Sequence, residues 1–84
     1  MNILVTGTAG FVGHSTAKVL LERGDTVVGI DNFNDYYEVS LKEDRNKELE
    51  KYPNFKLYRV DISNLDDLKN IFEGNDIDRV CHLA

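Results

Sequence analysis

The chain is predicted to be an α/β protein with a doubly wound parallel sheet. Short apolar runs alternate with segments of helical periodicity along the whole chain, and the loops between them are short, a pattern typical of parallel sheets built from βαβ units. The 84 residues suffice for one small domain, and no Pro-rich or Gly-rich linker marks a second one. The crossovers between parallel strands are expected to be right-handed. The expected strand order is 3-2-1-4, that of the first half of a doubly wound sheet.

The first 31 residues are predicted to form a strand, a glycine turn, a helix and a second strand, which is the length of a βαβ unit. Both strands are short apolar runs, as expected for parallel strands buried on two faces. The helix is expected to end at Gly24, a residue suited to the position after a helix. These elements occupy Ile3 to Val5, Thr6 to Gly13, the segment that contains Ala17, Leu20 and Leu21, and Val27 to Asp31.

The middle of the chain is predicted to contain an exposed helix and an edge strand. Glu38 to Lys51 is dense in charge, and its main apolar residues, Val39, Leu41 and Leu49, predict a thin buried stripe. Phe55 to Val60 alternates apolar and polar side chains, which favours a strand with one solvated face at the edge of the sheet.

A third helix and a fourth strand are predicted to follow. Ser63 to Asp66 has the capping-box form of a helix start, and Gly74 is placed at the helix end. Arg79 to Leu83 is the predicted fourth strand. The helix is expected to bury one apolar face, which consists of Leu65, Leu68, Ile71 and Phe72.

Composition and charge limit the classes of function. Hydrophobic residues make up 42% and charged residues 30% of the chain, which is typical of soluble globular proteins. The net charge of −5 disfavours nucleic acid or an anionic membrane as a partner, and the longest apolar run is too short to span a bilayer. Cys81 is the only cysteine, and no Cys/His cluster has the spacing of a zinc site. We therefore expect no metal and a reducing, cytoplasmic location.

Three glycines follow the first strand and open the first helix. Gly7, Gly10 and Gly13 permit a tight turn, a close approach of the backbone to a pyrophosphate, and close packing of helix on strand. The backbone N–H groups of Phe11 and Val12 would then lie at the helix N-terminus, where the helix dipole favours an anion. This predicts a Rossmann-type phosphate-binding turn, with a glycine-rich turn that binds nothing as the alternative.

Asp31 supplies the second part of this pattern. It ends the second predicted strand 18 residues after Gly13, close to the spacing expected of a ribose-binding acid. A carboxylate there accepts hydrogen bonds from a ribose 2′-hydroxyl and repels a 2′-phosphate, so NAD is expected in preference to NADP. A solvated aspartate at a strand end is the alternative.

These motifs resemble those of a known family. Thr6 to Gly13 reads Thr-Gly-Thr-Ala-Gly-Phe-Val-Gly and resembles the TGxxGFxG signature of the extended short-chain dehydrogenase/reductase family, which includes nucleotide-sugar epimerases and dehydratases. Further matches are Asp61-Ile62 and His82-Leu83-Ala84. Asp31 to Tyr37, followed by Val39 to Lys42, is most similar to the UDP-glucuronate 4-epimerase group within this family. The resemblance spans essentially the whole chain.

The resemblance implies a role in NAD binding for residues at each of these motifs. They are Gly7, Gly10, Phe11, Val12 and Gly13 at the pyrophosphate, Asp31, Asn32 and Asn34 at the adenosine ribose, Asp61 and Ile62 at the adenine, and Leu83 and Ala84 near the middle of the cofactor. For Asp61 the alternative is an acid that caps the turn beside Ser63.

The resemblance also implies chemistry whose residues lie outside the chain. Enzymes of that group oxidise and re-reduce C4 of a nucleotide sugar with NAD, and use a Tyr-x-x-x-Lys pair on a later helix. One apparent match, Tyr52 to Lys56, is rejected because Pro53 disfavours a helix there and Phe55 begins a strand-like alternation. Residues 1–84 are thus predicted to be the N-terminal NAD-binding part of a nucleotide-sugar epimerase, with no catalytic residue of its own, and the nucleotide sugar would bind only to the full-length parent.

Three alternatives remain open for the function. One is a free-standing nucleotide-binding module without chemistry, and another is a fragment of a nucleotide-sugar dehydratase or reductase. The third is a structural or interaction protein, because the fourth strand should present an apolar edge and exposed strand edges recruit other chains. We therefore also predict self-association through this edge.

Overall fold

The computed structural model describes residues 1–32 and 39–83, which form a four-stranded parallel sheet with helices on both faces. The sheet has the order β3-β2-β1-β4, and all three strand pairs are parallel. The predicted fold class and strand order are therefore confirmed. The elements are β1 (Asn2–Thr6), α1 (Phe11–Glu22), β2 (Thr26–Ile30), α2 (Val39–Glu50), β3 (Phe55–Tyr58), α3 (Leu65–Gly74) and β4 (Arg79–His82).

The two central strands divide the apolar core between the two faces of the sheet. Successive side chains of a strand point to opposite faces, so β1 and β2 contribute to both layers, and this explains why they are apolar without interruption. α1 and α2 cover one face and α3 covers the other. The first layer contains Ile3, Val5, Ala17, Leu21, Val27 and Leu49, and the second contains Leu4, Val28, Ile30 and Ile71.

The first helix ends as its sequence predicts. Gly24 has φ of +91°, and its N–H donates to the carbonyl of Leu21 at 3.0 Å. The N–H of Asp25 donates to the carbonyl of Leu20 at 3.1 Å, which completes a Schellman motif. The chain thereby reverses directly into β2.

The buried stripe of α2 differs from the prediction at one position. Leu49 is fully buried, but Leu41 is 49% exposed, and the inward face instead carries the buried Asn46. Asn46 Nδ2 donates to Glu50 Oε1 at 2.7 Å, one turn further along the helix, whereas its Oδ1 is buried and accepts no hydrogen bond from the described residues. The prediction for Leu41 is wrong because Leu49 and Asn46 set which side of α2 faces the sheet, and Leu41 lies beside that side. The side chain of Val39 lies outside the described part.

The apolar face of α3 is narrower than predicted. Ile71 is buried and Leu68 is half-buried, but Leu65 is 76% and Phe72 45% exposed. Ile71 lies on one side of Leu68 around the helix, whereas Leu65 and Phe72 lie on the other side, about 100–120° from Ile71. The helix also begins one residue later than it would if Ser63 were the N-cap. Asn64 is the N-cap, and its side chain accepts from the N–H of Asp67 at 3.2 Å.

Candidate cofactor-binding site

A cavity of about 410 Å³ opens beyond the carboxyl ends of the strands. β1 pairs with β2 on one side and with β4 on the other, and ligands of open α/β sheets bind where the strand order reverses in this way. The volume lies within the range of small-molecule sites. The cavity is lined by Gly7, Gly10, Ile30, Asp31, Asn32, Lys42, Val60, Ile62 and Leu83.

The glycine turn forms one wall of the cavity. Gly7 has φ of +76°, a left-handed conformation that glycine adopts without strain. Its N–H donates to the carbonyl of Ile30 at 2.7 Å, and its own carbonyl accepts from Gly10 N–H at 3.0 Å. A Cβ atom on Gly13 would overlap that same Gly7 carbonyl. The turn therefore needs Gly7 for its backbone conformation and Gly13 for the close contact of α1 with the turn.

The N-terminus of α1 is suited to an anion. Gly10 is the N-cap and offers no side chain, and the first turn contains no acidic residue. The first intrahelical bond runs from His14 N–H to the Gly10 carbonyl at 2.8 Å, so the preceding N–H groups have no partner within the helix. The side chains of Phe11 and Val12 are exposed, and their N–H groups belong to the first turn of α1, directly after Gly10, where the positive end of the helix dipole lies.

Asp31 lies at the end of β2 and faces both the turn and the cavity. It is only 4% exposed, so the alternative of a solvated aspartate at a strand end is wrong. Its Oδ2 accepts from the N–H of Ala9 at 3.0 Å, and its Oδ1 lies 3.5 Å from Lys42 Nζ. Asp31 therefore fixes the glycine turn as well as lining the cavity. Asn32 follows it in the lining.

The segment after β3 provides an apolar wall and a locally bonded acid. Val60 and Ile62 line the cavity. Asp61, between them, uses Oδ1 to accept from both the N–H and the Oγ of Ser63, each at 2.8 Å. These hydrogen bonds, that from the backbone N–H first, hold the pKa of Asp61 below its usual value. Asp61 thus forms the turn that the alternative interpretation predicted, although Asn64 rather than Ser63 caps α3.

The end of β4 closes the remaining side of the cavity. Leu83 lines it, and the N–H of Leu83 donates to Thr6 Oγ1 at 2.9 Å. The same Thr6 oxygen lies 2.8 Å from Nδ1 of His82. The buried hydroxyl at the end of β1 therefore fixes the end of β4. Asn34 and Ala84, the other two predicted site residues, lie outside the described residues.

The structure adds residues of α2 that the sequence analysis did not select. Lys42 lines the cavity, and Arg45 donates to the carbonyl of Ala9 at 3.2 Å, with its guanidinium carbon 6.0 Å from the centre of the Phe11 ring. Lys42 lies within the segment that resembles UDP-glucuronate 4-epimerases, and Arg45 follows it by one helical turn. This spacing is the sequence signal for both residues, but the high charge density of the segment equally fits a solvated helix face.

The apparent Tyr-x-x-x-Lys match does not form a catalytic pair. Tyr52 follows the end of α2 and donates its hydroxyl to Glu22 Oε1 at 3.0 Å, which raises the pKa of Tyr52. Lys56 lies in β3, so the two residues do not share a helix. Within residues 1–32 and 39–83, no group of three or more His, Cys, Asp or Glu side chains could hold a metal ion. No helix in the described part is long and apolar enough to cross a membrane.

The parallel sheet, the three-glycine turn at a helix N-terminus and the buried acid at the end of β2 define a dinucleotide-binding domain of the Rossmann class. The chain matches the GDP-mannose 4,6 dehydratase family over residues 4–84, and it belongs to this family.

Its relatives include several UDP-glucuronate 4-epimerases. The chain is 52% identical over 81 residues to UDP-glucuronate 4-epimerase of Thermodesulfobacterium geofontis strain OPF15, and the aligned region covers 96% of this chain and 25% of that protein. It is 48% identical over 84 residues to UDP-glucuronate 4-epimerase 2 of Arabidopsis thaliana, and the aligned region covers 100% of this chain and 19% of that protein. The crystal structure of UDP-glucuronic acid 4-epimerase from Bacillus cereus, in complex with UDP-glucuronic acid and NAD, matches with a TM-score of 0.88 at 42% identity, over 100% of this chain and 26% of that one. The chain thus spans about a fifth to a quarter of the length of these relatives, and the predicted resemblance is confirmed.

Proposed function

We propose that residues 1–84 form the NAD-binding segment of a nucleotide-sugar 4-epimerase that acts on UDP-glucuronate or a similar nucleotide sugar. The observation that carries this proposal is the buried Asp31, which faces the cavity beside the glycine turn. The similarity to an epimerase crystallised with UDP-glucuronic acid and NAD supports it. The residues that act on the sugar would belong to other parts of a longer polypeptide, and we propose a cytoplasmic location.

The described residues fit the adenosine and pyrophosphate parts of a dinucleotide. In this proposal the N–H groups of Phe11 and Val12 bind phosphate oxygens, and Asp31 accepts from a ribose hydroxyl. Ile62 offers an aliphatic surface to the adenine. For Asp61 the proposed contact with the adenine uses its second oxygen, since Oδ1 accepts from Ser63.

The chemistry of the proposed reaction depends on holding the dinucleotide in one position through two hydride transfers. NAD, when bound, supplies a hydride acceptor that returns the hydride to the sugar. The part played by this chain is to bind and orient: the glycine turn fixes the phosphates, and Asp31 fixes the ribose. Leu83, held by Thr6, forms the wall on the side of β4.

Replacement of Asp31 by alanine tests the ribose contact. We expect Asp31→Ala to weaken NAD binding about tenfold to a hundredfold, because a hydrogen bond to a charged group contributes roughly 1.5–3 kcal/mol. NADP binding should fall less, because the same change removes repulsion of the 2′-phosphate. Isothermal titration calorimetry measures both. Asp44→Ala, which removes an exposed carboxylate on α2, should change neither. Equal losses for NAD and NADP would contradict the ribose role, and no binding of NAD to the unaltered chain at millimolar concentration would reject the proposed function.

The free edge of β4 leads to a second proposal, on the association of the 84-residue chain. Among the described strands, β4 pairs with β1 alone, and Val80 in this strand is 54% exposed. We expect the chain to dimerise through this edge, with sedimentation velocity showing a concentration-dependent shift. Val80→Lys should weaken the dimer, because a charge on an edge strand opposes pairing. Val19→Lys, at a similarly exposed site on α1, is the control. A monomer at the highest concentration would contradict this proposal.

A further inference from the structure

The cavity contains a cation beside the acid that is proposed to bind the ribose. Lys42 lies on α2, and its Nζ is 3.5 Å from Asp31 Oδ1. Its side chain is only 15% exposed and lines the cavity. Asp31 is the one acidic residue recorded within 4 Å of this ammonium in the described ranges 1–32 and 39–83. The two groups therefore form a largely buried ion pair in the wall of the site.

The neighbouring charges do not replace Asp31 as the partner of Lys42. The guanidinium of Arg59 donates to both carboxylate oxygens of Glu43, at 2.6 and 2.9 Å, so Glu43 and Arg59 largely neutralise each other. Arg45 is also cationic and donates to the carbonyl of Ala9. Removal of the Asp31 carboxylate would therefore leave the Lys42 ammonium without an acidic partner within 4 Å among the described residues.

Asp31 and Lys42 have opposite effects on a ligand at the same place. A carboxylate accepts a hydrogen bond from a 2′-hydroxyl and repels a 2′-phosphate. An ammonium has three N–H donors and attracts phosphate. The two groups are 3.5 Å apart in the same wall. The preference for a 2′-hydroxyl over a 2′-phosphate therefore depends on the balance between the effect of Asp31 and the opposite effect of Lys42.

We propose that Lys42 is a specificity-determining residue. Its ammonium can bind a 2′-phosphate, and Asp31 prevents this binding because its carboxylate pairs with the ammonium and repels the phosphate. The inference rests on the proposed function, because it requires the adenosine part of a dinucleotide to occupy the cavity. It goes beyond the ribose contact in one respect. Loss of Asp31 does more than remove selectivity, since it reverses selectivity in favour of a 2′-phosphate, and this reversal depends on Lys42.

Two nucleotides that differ only by the 2′-phosphate test this inference. Isothermal titration calorimetry with adenosine 5′-monophosphate and adenosine 2′,5′-bisphosphate gives the ratio of their dissociation constants for each variant. The unaltered chain should prefer the monophosphate about tenfold, and Asp31→Ala should prefer the bisphosphate about tenfold or more, the size expected for a charge-assisted hydrogen bond. In Asp31→Ala/Lys42→Met the ratio should return to about one.

Control variants separate the role of Lys42 from general charge and from folding. Asp31→Ala/Lys47→Met also removes a positive charge from α2, but at an exposed residue, and it should keep the preference for the bisphosphate. Asp31→Asn removes the negative charge and retains an oxygen that can accept from Ala9 N–H. Asp31→Asn should also prefer the bisphosphate over the monophosphate, and its circular dichroism spectrum should match that of the unaltered chain.

The outcomes distinguish this inference from the proposed function. A preference for the monophosphate that persists in both Asp31→Ala and Asp31→Asn would overturn the inference, and so would a bisphosphate preference that survives Lys42→Met. Either result would leave binding of NAD to the unaltered chain intact. Failure of the unaltered chain to bind the monophosphate and NAD would instead overturn the proposed function.

Discussion

Gly13→Ala is expected to lower the free energy of unfolding by about 3 kcal/mol or more, the upper end of what overpacking costs. The added Cβ would overlap the carbonyl of Gly7, with the Cα of Thr8 at 3.1 Å. These are backbone atoms, so no side chain can rotate away and the turn or the helix has to move. Since the same carbonyl accepts from Gly10 N–H, the movement should also disrupt the phosphate-binding turn and abolish detectable NAD binding.

Chemical denaturation followed by circular dichroism measures this effect, and Gly74→Ala is the matched control. Gly74 lies at the end of α3, and a Cβ there would meet nothing within 4 Å. Its replacement should leave stability unchanged or raise it by up to about 1 kcal/mol, because alanine restricts the unfolded chain more than glycine does. Similar stabilities for the two variants would show that the close contact of α1 with the turn is not the reason for a glycine at Gly13.

Leu49→Ala is expected to lower the free energy of unfolding by about 2–5 kcal/mol. Leu49 is fully buried and belongs to the core layer between α1, α2 and the sheet. A domain of this size has a total stability of roughly 4–13 kcal/mol, so the variant should be partly unfolded at moderate temperature. Because α2 also carries Lys42 and Arg45 to the site, NAD binding should weaken as this helix separates from the sheet.

Leu41→Ala on the same helix is the comparison for Leu49→Ala. Leu41 is 49% exposed, and surface changes of this kind usually alter stability by no more than about 0.5 kcal/mol. Thermal and urea denaturation should therefore give Leu49→Ala a much lower free energy of unfolding than Leu41→Ala. The reverse order would mean that α2 packs on the sheet through a different face from the one described.

The central strands and the ends of α1 follow from local signals, whereas the buried faces of α2 and α3 do not. A glycine such as Gly24 or an uninterrupted apolar run constrains its own segment, so these features could be predicted from the sequence. The exposure of Leu41, Leu65 and Phe72 depends instead on how far each helix is rotated on the sheet. That rotation is decided by contacts between residues distant in the sequence.

The same distinction applies to the candidate site. Gly7, Gly13 and Asp31 belong to one βαβ unit, and the spacing within the unit predicted their positions around the turn. Lys42 and Arg45 approach the turn from a separate helix, and only the packing of α2 brings them to Asp31 and Ala9. The hydrogen bond from Ala9 N–H to Asp31, by contrast, lies within the βαβ unit itself.

The position of β4 beside β1 has a consequence for the order in which the site is assembled during folding. Ile3 pairs with Val27 of β2, close along the chain, but also with Arg79 of β4, near the other end. Closing the longer loop costs more chain entropy and slows contact formation. The β1–α1–β2 unit, with the glycine turn and Asp31, should therefore form early, and the wall around Leu83 should be the last part to form.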